Sequence, residues 1–110
     1  MSNFSDIVDY LGLSANEAAV ALNVSEDEIS RWRSTDDAPP IQIWQHLVRM
    51  IDDVRFSAEE AAKSADLDQL DASDLNRVNL SVPGQTTSTF AGPKRAATAL
   101  AVATLARVFV

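Results

Sequence analysis

Polar and charged side chains at helical spacing are concentrated between residues 16 and 34. Three apolar residues recur among them on what would be one helix face: Val24, Ile29 and Trp32. Ser25 suits the N-cap of a helix that begins at Glu26, and Glu28 stands at its third position, as in a capping box. The apolar face can pack against a neighbouring helix. Hydroxyl, carboxylate and guanidinium groups then remain on the outer face, where they can form hydrogen bonds with a partner.

The residues before this helix predict a second short helix and a tight turn. Ala19 lies four residues before Asn23, and a small side chain there lets the two helices cross closely. Asn23 suits a corner that needs a positive φ, because asparagine tolerates that conformation better than other non-glycine residues. This spacing is typical of a DNA-binding helix-turn-helix. Residues 4–52 resemble the Cro/repressor-type (XRE-like) helix-turn-helix regulators.

The resemblance implies that the second, recognition helix contacts double-stranded DNA. Six residues on its outer side would contact base edges in the major groove: Ser25, Glu26, Asp27, Ser30, Arg31 and Ser34. Asn16 and Glu17, at the start of the preceding helix, would approach the phosphate backbone. Regulators of this family usually bind inverted repeats as dimers, with half-sites one helical turn apart. The resemblance therefore also implies a homodimer.

The charge of the chain argues against a simple DNA-binding surface. The net charge is −7 and the sequence pI is about 4.4. Residues 1–55 carry ten acidic and four basic side chains (−6), whereas residues 56–110 carry six and five (−1). Basic residues normally supply the sequence-independent affinity for DNA. Arg31 and Arg33, which flank Trp32 and would occur twice in a dimer, are the basic residues we expect at the interface.

Two functions therefore remain open from the sequence. The first is a sequence-specific transcriptional regulator, a dimeric repressor of the phage or mobile-element type, that reads the major groove with residues 25–34. The second is an acidic protein-binding module that uses the same helices, as a phage-type inhibitor or a nucleic-acid mimic does. In that case a basic protein partner would meet the three carboxylates of Glu26, Asp27 and Glu28.

Hydrophobic periodicity predicts a mainly α-helical fold for the N-terminal half. The first helix covers residues 4–11, Ser14 caps the second, and the third runs from about residue 26 to 33. A loop with Pro39 and Pro40 then leads into a fourth helix. Five apolar residues of the fourth helix are expected on its buried face: Ile41, Trp44, Leu47, Val48 and Ile51. We therefore predict a four-helix helix-turn-helix domain over residues 1–55.

Residues 56–110 are predicted to form a C-terminal extension. Residues 57–65 begin with Ser-Ala-Glu-Glu, which suits the start of a separate short helix. The alternating and threonine-rich residues 77–90 allow a small β-hairpin. Residues 93–107 predict an alanine-rich apolar helix, which we expect in a dimer interface, the alternative being that it fills the chain's own core. Residues 108–110 could extend that helix or form a terminal strand.

The sequence contains no pattern for catalysis, a metal site or a cofactor. His46 is the single histidine, and there are no cysteines to pair with it. The aspartates of residues 66–74 lack the glycine and final glutamate of an EF-hand loop. The N-terminus does not read as a signal peptide, and the apolar C-terminal run of roughly 15 residues is shorter than the about 20 that cross a bilayer. We therefore expect a cytoplasmic, non-enzymatic protein with no membrane contact.

Overall fold

A computed structural model describes residues 2–78, 80 and 90–110 of the chain. These residues are mainly α-helical, and none of them lies in a β-strand. Five helices follow one another: α1 (Asn3–Tyr10), α2 (Ala15–Leu22), α3 (Glu26–Ser34), α4 (Ile41–Lys63) and α5 (Ala91–Ala106). Two short 3₁₀ helices cover Ala72–Asp74 and Arg107–Phe109. The β-hairpin predicted over residues 77–90 falls mostly on residues 79 and 81–89, outside the described residues.

Serine N-caps set the starts of the first three helices. The capping residues of α1, α2 and α3 are Ser2, Ser14 and Ser25. In each case the serine hydroxyl accepts a hydrogen bond from a backbone N–H in the first turn of the helix. At α2 and α3 the side chain of a glutamate three residues later accepts a hydrogen bond from the backbone N–H of the capping serine, which completes a capping box. These bonds satisfy donors that have no partner within the helix, and each cap contributes about 1 kcal/mol.

The turn between α2 and α3 depends on a left-handed residue. Asn23 has φ 58° and ψ 48°, and it is the single non-glycine residue with positive φ among those described. The N–H of Val24 donates to the carbonyl of Ala19 over 3.0 Å, so the chain turns immediately after α2. Ala19 itself is buried, with 7% exposure. The predicted positive φ at Asn23 is confirmed.

The hydrophobic core joins α1, α2, α3 and the first half of α4. Its largest fully buried apolar side chains come from three of these helices and the loop after α1: Phe4, Val8, Leu11, Ile29 and Leu47. The Phe4 ring packs edge-on against Trp32, with ring centroids 5.6 Å apart, and against Trp44 at 6.5 Å. Such aromatic pairs add roughly 0.5–1.5 kcal/mol beyond the area they bury. They fix α1 between α3 and α4.

Helix α4 corrects the prediction of a separate helix over residues 57–65. It is one continuous helix of 23 residues, so residues 57–65 do not begin a separate helix. Ser57 lies inside α4, fully buried, and its Oγ has no hydrogen-bond partner among the residues that the structure describes. The Ser-Ala-Glu-Glu pattern was misleading because a capping box is a local signal that a helix interior can also contain. The division predicted after residue 55 accordingly falls inside this helix.

The buried face of α4 is also rotated from the predicted one. Its buried residues are Ile43, Leu47, Met50, Val54, Ser57, Ala58 and Ala61. Of the residues predicted to be buried, Leu47 is, whereas Ile41 is 64% and Val48 57% exposed. Trp44 and Ile51 are half-buried at the edge of the core. The sequence could not choose between these faces, because α4 is apolar on both.

Helix α5 packs along α4 through small residues. Ala97, Ala101 and Leu105 are buried, and Ala101 contacts a cluster formed with Ala58 and Ala61 of α4. Ala97 belongs to the main core. The helix therefore fills the core of its own chain with one face, as the alternative in the sequence analysis proposed.

The start of α5 touches the end of α1 through two glycines. Gly12 has φ +64°, and a Cβ added to it would lie 2.9 Å from the Cα of Gly92. A Cβ on Gly92 would lie 2.3 Å from the carbonyl oxygen of Leu11 and 2.4 Å from that of Gly12. The two backbones can approach this closely only because neither residue has a side chain.

The C-terminal end differs from one predicted alternative. Arg107–Phe109 form a 3₁₀ turn that continues α5, and not a terminal strand. The side chains of Val108, Phe109 and Val110 are exposed. In the part of the chain that the structure describes, no helix has the length and apolar content required to cross a membrane.

Candidate nucleic-acid interface

One side of α3 is exposed along its whole length. The predicted base-contacting residues are all exposed: Ser25, Glu26, Asp27, Ser30, Arg31 and Ser34. On the opposite side Ile29 is 0% and Trp32 3% exposed, so these two residues anchor the helix in the core. The structure therefore brings the predicted residues together on one outward surface of a single helix. We refer to these six residues as the α3 face.

The start of α2 adjoins this surface. Asn16 is exposed, and its side-chain amide donates to a carboxylate oxygen of Glu26 over 3.5 Å. Glu17 does not extend outward in the same way, because its Oε1 accepts from the N–H of Ser14 at 3.0 Å. Of the two residues predicted near the phosphate backbone, Asn16 is thus placed beside the α3 face. The carboxylate of Glu17 is used to cap α2.

The first turn of α3 carries three carboxylates. Glu28 accepts hydrogen bonds from both the N–H and the hydroxyl of Ser25, at 3.2 and 3.3 Å. Glu26 and Asp27 are exposed beside it. Carboxylates at this end stabilise a helix through its dipole. They also occupy the position where a helix N-terminus would otherwise attract a phosphate, so DNA would have to meet this turn through hydrogen bonds to base edges.

Arg33 is directed toward α1. Its Nη2 lies 2.7 Å from Oδ1 of Asp9, and its side chain is 29% exposed. The helix geometry explains this position, since residue 33 lies a full turn from Ile29 and closer to the buried side than Ser30 or Ser34. The structure therefore separates Arg33 from the other predicted DNA-binding residues. Its charge is neutralised by a carboxylate of the same chain.

Arg31 remains on the outward surface. Its Nε is 3.6 Å from Oδ2 of Asp37, and the two side chains are 52% and 67% exposed. Exposed pairs at this distance contribute little, typically 0–1 kcal/mol, and are easily exchanged for another partner. Its guanidinium also lies 6.0 Å from the ring centroid of Trp32. Arg31 is thus the cation of the α3 face that a phosphate or a guanine could engage.

Hydroxyl groups close the C-terminal end of α3. Ser34 donates to the carbonyl of Ser30 and Thr35 to that of Arg31, each over 2.6 Å. The hydroxyl of Ser2, which caps α1, also donates to the carbonyl of Trp32 over 2.7 Å. The Ser34 hydroxyl already donates its proton to the carbonyl of Ser30. It can therefore accept a further hydrogen bond, but it cannot donate one unless the existing bond is broken. The Ser2 hydroxyl also lies 3.2 Å from the carbonyl oxygen of Arg33, so the last turn of α3 is tied to the start of α1.

Sequence reasoning missed three residues that pair with the arginines of α3 or bond to the end of its backbone: Asp9, Asp37 and Ser2. Each acts on α3 from outside it, over separations of 24 residues for Asp9 and 30 for Ser2. An aspartate six residues after Arg31 carries no local signal that it will pair with it. An amphipathic α1 that packs on α3 was predicted, but the individual pairs depend on how the two helices are rotated.

Among the described residues, the other candidate side chains are not brought together into a catalytic or metal-binding site. His46 is half-buried on α4. Among the aspartates of residues 66–74, two cap local turns by accepting from the N–H groups of Asp68 and Ser73, and Asp74 pairs with Arg77. No group of three metal-binding side chains occurs among the residues that the structure describes.

Comparison with known proteins adds no relative. The chain matches no protein-family profile, no curated protein and no solved structure. Its function must therefore be argued from the surface of α3 and the fold that presents it.

Proposed function

We propose that this protein is a sequence-specific DNA-binding transcriptional regulator whose α2 and α3 form a helix-turn-helix. The observation that carries the proposal is the α3 face, six polar residues that stand clear of the core while Ile29 and Trp32 hold the helix behind them. A helix anchored on one side and exposed on the other can enter the major groove, which is about 12 Å wide. The left-handed Asn23 sets the turn that this motif requires.

The roles within the α3 face follow from side-chain chemistry. Arg31 would donate to guanine or to a phosphate, and the serines would bond to either base type. Glu26 and Asp27 would accept from the N4 amino group of cytosine. Asn16 would contact the backbone at the edge of the site. Because acidic residues face the groove, we expect binding with a small salt dependence and with specificity carried by few contacts.

Two copies would be needed for useful affinity. A single α3 reads only a few base pairs, whereas a dimer reads two half-sites about one helical turn apart. A dimer bound at an operator would exclude other proteins from that DNA, so repression is the direction of regulation that we propose.

The test compares two arginine variants on a DNA fragment selected by the protein. Arg31→Ala removes the cation of the α3 face, and a lost bidentate contact costs about 1–3 kcal/mol, or roughly 5- to 150-fold in affinity per half-site. Arg49→Ala is the matched control, because Arg49 is also exposed but lies on α4. Selective loss with Arg31→Ala supports the proposal, and equal binding by both variants and the unchanged protein contradicts it.

A second candidate function is supported by the charges on the same surface. Glu26 and Asp27 are exposed at the start of α3, while both arginines of the helix have carboxylate partners within the chain. This arrangement suits a basic protein partner. The double variant Glu26→Lys with Asp27→Lys keeps the Glu28 cap and separates the two functions. It should strengthen non-specific DNA binding if the protein is a regulator, and abolish binding to a basic probe such as oligolysine if it is an acidic module.

A further inference from the structure

The segment that follows α3 places an aspartate beside the outward arginine of that helix. Oδ2 of Asp37 lies 3.6 Å from Nε of Arg31, so the ion pair joins the carboxylate to the Nε edge of the guanidinium. In the described part of the chain, no hydrogen bond engages the two Nη groups of Arg31. The end of the guanidinium that carries these two groups can therefore donate to a partner while Asp37 stays in place.

Hydrogen bonds hold Asp37 near Arg31 independently of the two charges. The Thr35 hydroxyl donates to the carbonyl of Arg31 over 2.6 Å and accepts from the N–H of Asp37 over 3.2 Å. The Thr35 N–H donates to the same Arg31 carbonyl over 3.0 Å. Two residues after Asp37, Pro39 is buried, and its ring restricts the backbone there. The segment is thus attached to the protein on both sides of Asp37.

We propose that Asp37 is a positioning residue that orients Arg31 for bidentate donation to a guanine. Guanine presents O6 and N7 as two acceptors in the major groove, and the planar fork of an arginine matches them. A carboxylate at the Nε edge restricts the rotation of the guanidinium and leaves its Nη end directed away from Asp37. The inference rests on the proposed function, because it names the base that Arg31 of the α3 face reads.

The restriction matters because an exposed arginine loses rotamer freedom when it binds. Ordering one such side chain weakens an interface by roughly 2- to 12-fold. Asp37 limits the freedom of Arg31 before DNA is bound, so part of this loss no longer accompanies binding. An arginine without that restriction would also reach phosphates and other base edges, and its preference for guanine would fall.

The negative charge of Asp37 allows this role to be told apart from simple competition with DNA. A carboxylate near the DNA repels phosphates, so its removal should strengthen binding to any sequence. Removal of a positioning residue should at the same time reduce the preference for guanine. If Asp37 only competed with DNA for Arg31, its removal would strengthen binding to the selected sequence as well.

The first test measures binding of the full chain to its selected DNA sequence, to variants with each base pair replaced, and to a duplex of unrelated sequence. Arg31→Ala identifies the guanine that Arg31 contacts, as the base whose replacement no longer matters. Asp37→Asn should reduce the preference for that guanine by about 2- to 12-fold per half-site and strengthen binding to the unrelated duplex.

Asp36→Asn is the matched control, because Asp36 is exposed next to Asp37 and forms no ion pair among the described residues. It removes the same charge, so it should strengthen binding to the unrelated duplex and leave the guanine preference intact. An unchanged guanine preference in Asp37→Asn, or a gain in affinity for the selected sequence beyond that of Asp36→Asn, overturns the proposal. Failure of the unchanged protein to select any sequence contradicts the proposed function itself.

The second test measures the restriction of Arg31 without DNA. The nitrogen–proton heteronuclear NOE of its Nε–Hε group rises as motion on the ps–ns timescale decreases, and Arg31→Ala assigns the signal by its disappearance. We expect a higher value in the unchanged protein and in Asp36→Asn than in Asp37→Asn. Thr35→Val, which removes the hydroxyl that bonds to Asp37, should also lower it. Equal values in the unchanged protein and Asp37→Asn would overturn the positioning role, whatever DNA the protein binds.

Discussion

The close contact between Gly12 and Gly92 predicts that alanine at position 92 destabilises the protein, although helix propensity alone would predict the opposite. Gly92 is the second residue of α5, where alanine would ordinarily favour the helix over glycine. A Cβ there would lie 2.3 Å from the Leu11 carbonyl oxygen, although Cβ atoms essentially never come within 3.0 Å of another atom. The backbones of α1 and α5 must therefore separate by about 0.7 Å, the difference between these distances. Gly92→Ala should consequently destabilise the protein.

The magnitude follows from what the separation disturbs. Adding a methyl group to a packed interior costs about 1–3 kcal/mol, and here the nearest atoms belong to backbone, which yields less easily than a side chain. Movement of α5 would also loosen Ala97, which is fully buried in the main core. We expect Gly92→Ala to lower the free energy of unfolding by about 2–3 kcal/mol. For a domain of this size the midpoint of thermal unfolding falls by about 8–12 °C.

The assay is urea unfolding followed by circular dichroism, with Ala99→Gly as the control. Ala99 is exposed in the middle of α5, so its replacement loses only helix propensity, about 1 kcal/mol. The variant that adds a helix-forming residue should thus be the less stable of the two. If Gly92→Ala were as stable as the unchanged protein, or more so, the close approach of the two backbones would be wrong.

Two further substitutions test single hydroxyl groups. Ser57→Ala should raise the free energy of unfolding by about 1 kcal/mol, because it removes a buried hydroxyl that has no partner in the described part of the chain; a loss of stability in urea would mean that Oγ has a partner. Ser2→Ala should lower it by about 1–2 kcal/mol, since the hydroxyl caps α1 and also donates to the Trp32 carbonyl. Ser2→Thr keeps both bonds and should restore most of the stability, and failure of this rescue in the same assay would argue against the capping role.

The first three helices were predictable because their signals are local. Ser14, Ser25 and Asn23 act on backbone groups within four residues, so caps and a positive φ can be read from the sequence itself. The outward residues of α3 follow from the two buried positions, Ile29 and Trp32, by helical spacing. The sequence alone therefore predicts which residues form the α3 face.

The remaining features depend on contacts between distant segments. The capping pattern at Ser57 could not reveal that Ser57 would be buried and that α4 would continue through it. Arg33 looked equivalent to Arg31 until α1 brought Asp9 within 2.7 Å. In the same way, which of the two apolar faces of α4 is buried depends on how the other helices pack against it. Tertiary packing, and not local propensity, decides each of these cases.

The most direct test of DNA recognition by the α3 face is selection from a library of double-stranded DNA fragments at about 50 mM and about 200 mM salt. The account predicts that the protein retains fragments with one shared, palindromic sequence at both salt concentrations, and that Arg31→Ala retains none of them at the higher. Failure to retain any sequence at the lower salt, or retention of the same sequence by Arg31→Ala, would contradict it.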